Sequence, residues 1–138
     1  LYRSTVYMFI SFLTALPSQP SRNKYQPILN HALDFIKENF TDPDMSLTWV
    51  AQQVALSPSH FSTIFSQSFN QTFIDYLTEQ RIELAKKLLQ QSDYRISDIA
   101  FEIGYNDPNY FSYLFKKKQG ISPKEYRTQL FLKNKNNQ

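Results

Sequence analysis

The 138-residue chain contains one segment of itself twice, and this repeat constrains the fold more than any other feature. "LTWVAQQVALSPSHFSTIFSQSFNQTFIDYL" (47–77) aligns with "ISDIAFEIGYNDPNYFSYLFKKKQGISPKEYR" (96–127). The offset is 49 up to Ala51 and Ala100, and 50 from Pro58 and Pro108, with one extra residue between. Val50 matches Ile99, Val54 matches Ile103, Phe61-Ser62 matches Phe111-Ser112, and Asp75-Tyr76 matches Glu125-Tyr126. Two copies are too few for a solenoid, so the repeat is a duplicated supersecondary unit.

Each copy reads as a helix of about eight residues (47–54, 96–103), a short turn, and a second helix. The second helix opens on a cap-plus-proline pair, Ser57-Pro58 or Asp107-Pro108. Proline suits the first helical position because its missing N–H would be unpaired there anyway. A small residue opens each turn, Ala55 or Gly104. Between the copies, "TFIDYLTEQRIELAKKLLQQS" (72–92) has the apolar spacing of one long amphipathic helix, and "SPKE" (122–125) is a capping box that starts a final helix. "ILNHALDFIKENF" forms a further helix ended by "TDPD" (41–44). The fold class is therefore all-α, with only two glycines available for turns.

Upstream, the Pro- and Ser-rich "PSQPSRNKYQP" (17–27) reads as a linker. "VYMFISFLTAL" (6–16) places Val6, Phe9, Ile10, Leu13 and Leu16 at helical spacing, as an amphipathic helix without its packing partner. It is short of the roughly 20 apolar residues that span a bilayer. Leu1 in place of Met is the mark expected of a fragment or a processed product.

Chemistry is narrowed by what is missing. With no cysteine and two separated histidines, His31 and His60, thiolate zinc sites, cysteine nucleophiles and histidine metal sites are not expected. There is no Gly-rich phosphate loop and no carboxylate pair outside predictable caps, so catalytic residues, metals and cofactors are all expected to be none. Charge is uneven: residues 1–80 carry 4 Lys/Arg against 6 Asp/Glu, and residues 81–138 carry 11 against 6. The basic second half suits a polyanionic partner.

Two helices joined by a tight turn with a small residue form a helix-turn-helix, whose second helix enters the major groove of double-stranded DNA. The outward stripes of the two second helices are Ser59, Ser62, Thr63, Ser66 and Asn109, Ser112, Tyr113, Lys116. Neither contains an acid, unlike an ordinary Glu- and Lys-rich solvated face. Asn binds adenine bidentately, Ser and Thr bond either partner, and Tyr or a Thr methyl contacts the thymine methyl. These eight are the candidate base readers. Phosphate contacts are expected from the helix N-termini with Ser57, His60 and Asp107, and from Lys117, Lys118, Lys124 and Arg127. A linker helix of about 19 residues is roughly 28 Å long against about 34 Å for a turn of DNA, a shortfall that implies either bending of the DNA toward the protein or less complete binding by one unit. The alternative is a helical protein–protein interaction module using the same stripes. Trp49 is expected to support the fold or the groove edge, not to read a base. Phe101, Phe111 and Phe115 are expected in the core, Tyr105 and Tyr110 at the turn and helix edge, and the stem of Lys118 over the core.

The segment 96–127 resembles the signature of the AraC/XylS family of bacterial transcription regulators, and "RIELAKKLL" (81–89) resembles that family's linker helix. The resemblance covers about residues 28–130. It implies a seven-helix domain with two helix-turn-helix subdomains, at the C-terminus of a cytoplasmic regulator that acts on double-stranded DNA and on RNA polymerase, with no membrane role. Residues 1–22 would then be the tail of a missing N-terminal sensor or dimerisation region plus linker, 23–132 the DNA-binding domain, and 133–138 a polar tail. Within that domain the helix-turn-helix units are about 47–69 and 96–118, and the linker helix about 72–91. Three positions depart from the family pattern. Ala55 stands where glycine is frequent, so its backbone is expected to avoid positive φ. Thr63 and Tyr113 stand where arginine is common, which predicts weaker dependence on guanine.

Overall fold

Seven α-helices follow one another among residues 20–137, those that the computed structural model describes, with side chains described from Lys24 onward. They are α1 (Pro20–Asn39), α2 (Leu47–Gln53), α3 (Pro58–Phe69), α4 (Phe73–Gln91), α5 (Ile96–Glu102), α6 (Pro108–Gln119) and α7 (Pro123–Asn136). The apolar segment 6–16 lies outside the described residues, as does most of the expected tail at 1–22. The helices group into two compact units, the first ending with Met45–Leu77 and the second combining Phe40–Asp44 with the residues from Thr78 on. Helix α4 runs without interruption from Phe73 to Gln91.

In the first unit α1, α2 and α3 pack on one another. Leu29, Ala32, Leu33 and Ile36 form the buried face of α1, at the 3- and 4-residue spacing of a helix. That face accounts for a misplaced boundary. Composition makes 17–27 a linker, yet α1 starts at Pro20 and carries Pro27 inside it. Proline in a helix removes one backbone hydrogen bond, and the buried stripe that follows holds the helix together across that gap. Phe65 is the hub of the unit, with ring centroids 5.7 Å from Phe61, 4.7 Å from Phe69, 6.1 Å from Phe73 and 5.7 Å from Tyr76. Trp49 packs edge-on against Phe35 at 5.1 Å, a supporting position.

The core of the second unit joins Ile82, Ala85 and Leu89 of α4, Ile99, Ala100 and Ile103, Tyr105, and Phe111 and Phe115 of α6. One expectation for its aromatics is corrected: Phe101 is 54% exposed, not in the core, while Tyr105 lies at the turn as expected and is buried there at 9%. On a 100°-per-residue wheel Phe101 lies nearly opposite the face shared by Ile99, Ala100 and Ile103, so position overrides residue type. Helix α7 begins with the expected capping box, in which Glu125 N–H donates to Ser122 Oγ and Ser122 N–H donates to Glu125 Oε1. It continues to Asn136, into the segment read as a polar tail.

The two turns share one geometry. Leu56 N–H donates to Ala51 O and Ala55 N–H to Gln52 O; Tyr105 N–H donates to Ala100 O and Gly104 N–H to Phe101 O. These paired bonds form a Schellman motif, which requires a left-handed residue just past the helix. Gly104 supplies it with φ 106 and Ala55 with φ 57, so the expectation that Ala55 avoids positive φ is wrong. The motif's two hydrogen bonds hold a conformation that costs an L-residue about 1–2 kcal/mol. The second helices also end alike, on left-handed Asn70 and Gly120.

Candidate nucleic-acid interface

Helix α3 is set by its cap. Ser57 is extended, its Oγ accepts from His60 N–H at 3.2 Å, and Pro58 opens the first turn. Phe61, Ile64, Phe65 and Ser68 then face inward. The opposite stripe has Ser59 and Thr63 exposed and Ser62 and Ser66 half-buried. Thr63 Oγ1 donates to the Ser59 carbonyl at 3.1 Å, which orients the hydroxyl and leaves its lone pairs outward. His60 is exposed, with Nε2 3.4 Å from the Tyr25 hydroxyl and the two rings edge-on at 5.6 Å.

Helix α6 repeats the design with different side chains. Asp107 caps it by accepting from Asn109 N–H at 2.9 Å, and Phe111 and Phe115 are fully buried. Asn109, Tyr113 and Lys116 are exposed and Ser112 is half-buried, so the four form one outward stripe. Tyr113 is 60% exposed and its ring stacks on that of Tyr110 at 6.4 Å. Lys117 and Lys118 are exposed beside Lys116, and Lys124 is exposed at the start of α7.

Two residues assigned to phosphate have other tasks. Arg127 donates from Nε to Leu89 O at 3.2 Å, from Nη1 to Tyr94 O at 2.6 Å and from Nη2 to Ser92 O at 3.3 Å. Its fork closes the C-terminal end of α4, where carbonyls lack helical partners. Asp107 already places a carboxylate at the N-terminus of α6, so a phosphate arriving there would meet like charge.

Arg81 was not among the candidates, and it is the most buried charged side chain described, at 5% exposure. Its Nε donates to Phe40 O at 2.7 Å and its Nη2 to Asp42 O at 2.8 Å, while the guanidinium lies 4.8 Å over the Tyr105 ring. A signal for it exists in the sequence. Arg81 falls at helical spacing with Leu77, Leu84, Ala85 and Leu88, an arginine alone on an apolar stripe.

Among the described residues no helix is long and apolar enough to cross a membrane, and no group of three or more His, Cys, Asp or Glu is arranged to hold a metal. Each unit instead presents a capped helix with a polar, acid-free stripe.

Comparison with known proteins agrees with this arrangement. A family model described as a helix-turn-helix domain matches residues 50–129. The chain is 35% identical over 99 residues to the arabinose operon regulatory protein of Escherichia coli K12, covering 72% of this chain and 34% of that protein. It also resembles the solved C-terminal domain of AraT, a response regulator from Geobacillus stearothermophilus. There the TM-score is 0.73 at 37% identity, with 75% of this chain and 85% of that one covered. For the C-terminal domain of the two-component response regulator yesN from Fusobacterium nucleatum the TM-score is 0.69 at 36% identity, with 76% and 98% covered. The chain spans about a third of the length of the curated relatives it matches. With both helix-turn-helix units in place and these relatives matched across them, the chain belongs to the AraC/XylS family of helix-turn-helix transcriptional regulators, as its DNA-binding domain.

Proposed function

We propose that residues 23–132 read the sequence of double-stranded promoter DNA through α3 and α6, as the DNA-binding part of a cytoplasmic transcription regulator. The observation that carries this reading is the repeated presentation of a proline-capped helix whose outward stripe holds no acid. Ser59, Ser62, Thr63 and Ser66 face the base edges in one groove, and Asn109, Ser112, Tyr113 and Lys116 those in another. Short hydroxyls and an amide suit hydrogen bonding to base edges, and Tyr113 suits an apolar contact.

Phosphates are met by the N-terminus of α3 with Ser57 and His60, and by Lys117, Lys118 and Lys124, which set register and affinity without reading sequence. Arg127 and Asp107 are left out of this set because their polar atoms already serve the fold. The larger regulator would add an N-terminal sensor or dimerisation region and a contact to RNA polymerase. With Thr63 and Tyr113 where the family often has arginine, neither position can grip guanine bidentately.

Selection of bound duplexes from a random-sequence pool tests the reading. The expected result is an enriched motif with weak guanine preference where Thr63 and Tyr113 lie. A pool that stays unenriched contradicts it.

A further inference from the structure

The tyrosines of the second unit form a ladder that leads from a buried arginine to the exposed reading face. Arg81, held by two backbone carbonyls, lies over the ring of Tyr105 at 4.8 Å. Tyr105 meets Tyr110 edge-on at 5.8 Å, with the planes at 75°. Tyr110 stacks on Tyr113 at 6.4 Å, with the planes at 25°. Both separations fall within the range of favourable ring pairs. Exposure rises along the ladder, from 9% at Tyr105 to 50% at Tyr110 and 60% at Tyr113.

We propose that Tyr110 is a positioning residue that holds the Tyr113 ring in place, so that Tyr113 presents a rigid apolar surface to a thymine 5-methyl group. The proposal rests on the DNA-reading function of α6. Positions 110 and 113 are three apart on a helix, the spacing at which side chains meet. An unsupported exposed ring loses rotamer freedom when it binds, whereas a ring already stacked loses less. The remaining outward residues, Asn109, Ser112 and Lys116, are polar, so Tyr113 is the position on this stripe suited to a methyl group. A tyrosine also lacks the fork of donors that would select guanine. Tyr110 need not touch DNA in this arrangement; it acts through Tyr113.

The test uses the duplex recovered by selection, with each thymine replaced in turn by uracil, which deletes only the methyl group. Wild-type binding is expected to weaken roughly three- to fivefold at one position, the effect of unburying one methyl. Tyr113→Ala should abolish that sensitivity. Tyr110→Ala should reduce it while leaving the salt dependence of binding unchanged, and Tyr110→Phe, which keeps the stack, should preserve it. If the alanine variant does not fold, Tyr110→Leu keeps apolar bulk without the stack and is expected to behave the same way. A wild type indifferent to every uracil, or a Tyr110→Ala variant with full methyl sensitivity, overturns the proposal while leaving DNA reading intact. A wild type that binds no duplex overturns the DNA-reading function itself.

Discussion

Ala55 and Gly104 end the first helices of the two repeats in the same way, each with positive φ and each followed by an N–H that reaches back five residues. Their difference has a steric cause. A Cβ built at Gly104 would lie 2.8 Å from Arg81 Nη2 and 2.9 Å from the Thr41 carbonyl oxygen, whereas Ala55 is exposed. The second turn therefore requires glycine twice over, for its dihedral angle and for the arginine beneath it.

Opposite outcomes are expected at these equivalent positions. Ala55→Gly relieves the left-handed alanine, and after the extra entropy of an unfolded glycine it should stabilise the protein by about 0.5 kcal/mol. Gly104→Ala combines an unfavourable φ with contacts to backbone and guanidinium, and should destabilise by about 2–4 kcal/mol. Urea unfolding of the two variants measures both. Equal effects of the same sign would contradict the steric account.

Arg127 and the lysines should separate cleanly between stability and binding. Arg127→Lys keeps the charge but loses the fork that reaches three carbonyls, and should destabilise by about 1–2 kcal/mol with the salt dependence of DNA binding unchanged. Lys117→Gln or Lys124→Gln should leave stability within about 0.5 kcal/mol and lower the salt slope by about 1. Denaturant unfolding and titrations at several salt concentrations give both numbers. An unaltered stability for Arg127→Lys, together with a salt slope lowered by about 1 in the charge-removing Arg127→Gln, would return Arg127 to the phosphates.

The start of α7 carries a pH dependence. Hydrogen bonds from Ser122 hold the Glu125 carboxyl below the usual carboxylate range, with a smaller pull from Lys116. A carboxyl depressed in the folded state contributes stability above its unfolded value, about 4.3, and loses it as pH falls through the folded value. Amide hydrogen exchange in the first turn of α7 should therefore quicken, relative to the intrinsic rate, on acidification below about pH 4. Glu125→Gln, which can still accept the cap hydrogen bond, should remove that dependence. Equal pH profiles for the two proteins would contradict it.

Much of this architecture is legible in the sequence because caps and periodicity are local. Ser57-Pro58, Asp107-Pro108 and Ser122-Pro123 each mark a helix start that the structure keeps. The repeat register pairs Ala51 with Ala100, and both carbonyls accept the same turn hydrogen bond. The departures from the sequence pattern depend on chain segments distant in sequence or on position outweighing residue type. Ala55 takes positive φ because two turn hydrogen bonds demand it. Phe101 is exposed because its neighbours Ile99, Ala100 and Ile103 define the opposite face. Arg127 reaches carbonyls 33 to 38 residues away, a contact that no local pattern encodes. The outward stripes follow from spacing alone, but the stack of Tyr110 on Tyr113 needed the rotamers.

The proposed function requires that these two stripes face DNA and not a protein surface. Equilibrium binding to the selected duplex, measured from about 50 to 200 mM salt, tests it most directly. With about six phosphates neutralised, affinity should fall about 10³-fold across that range, with log K linear in log salt. No detectable binding at the lowest salt, or an affinity that does not change with salt, would contradict the account and favour a protein-binding module.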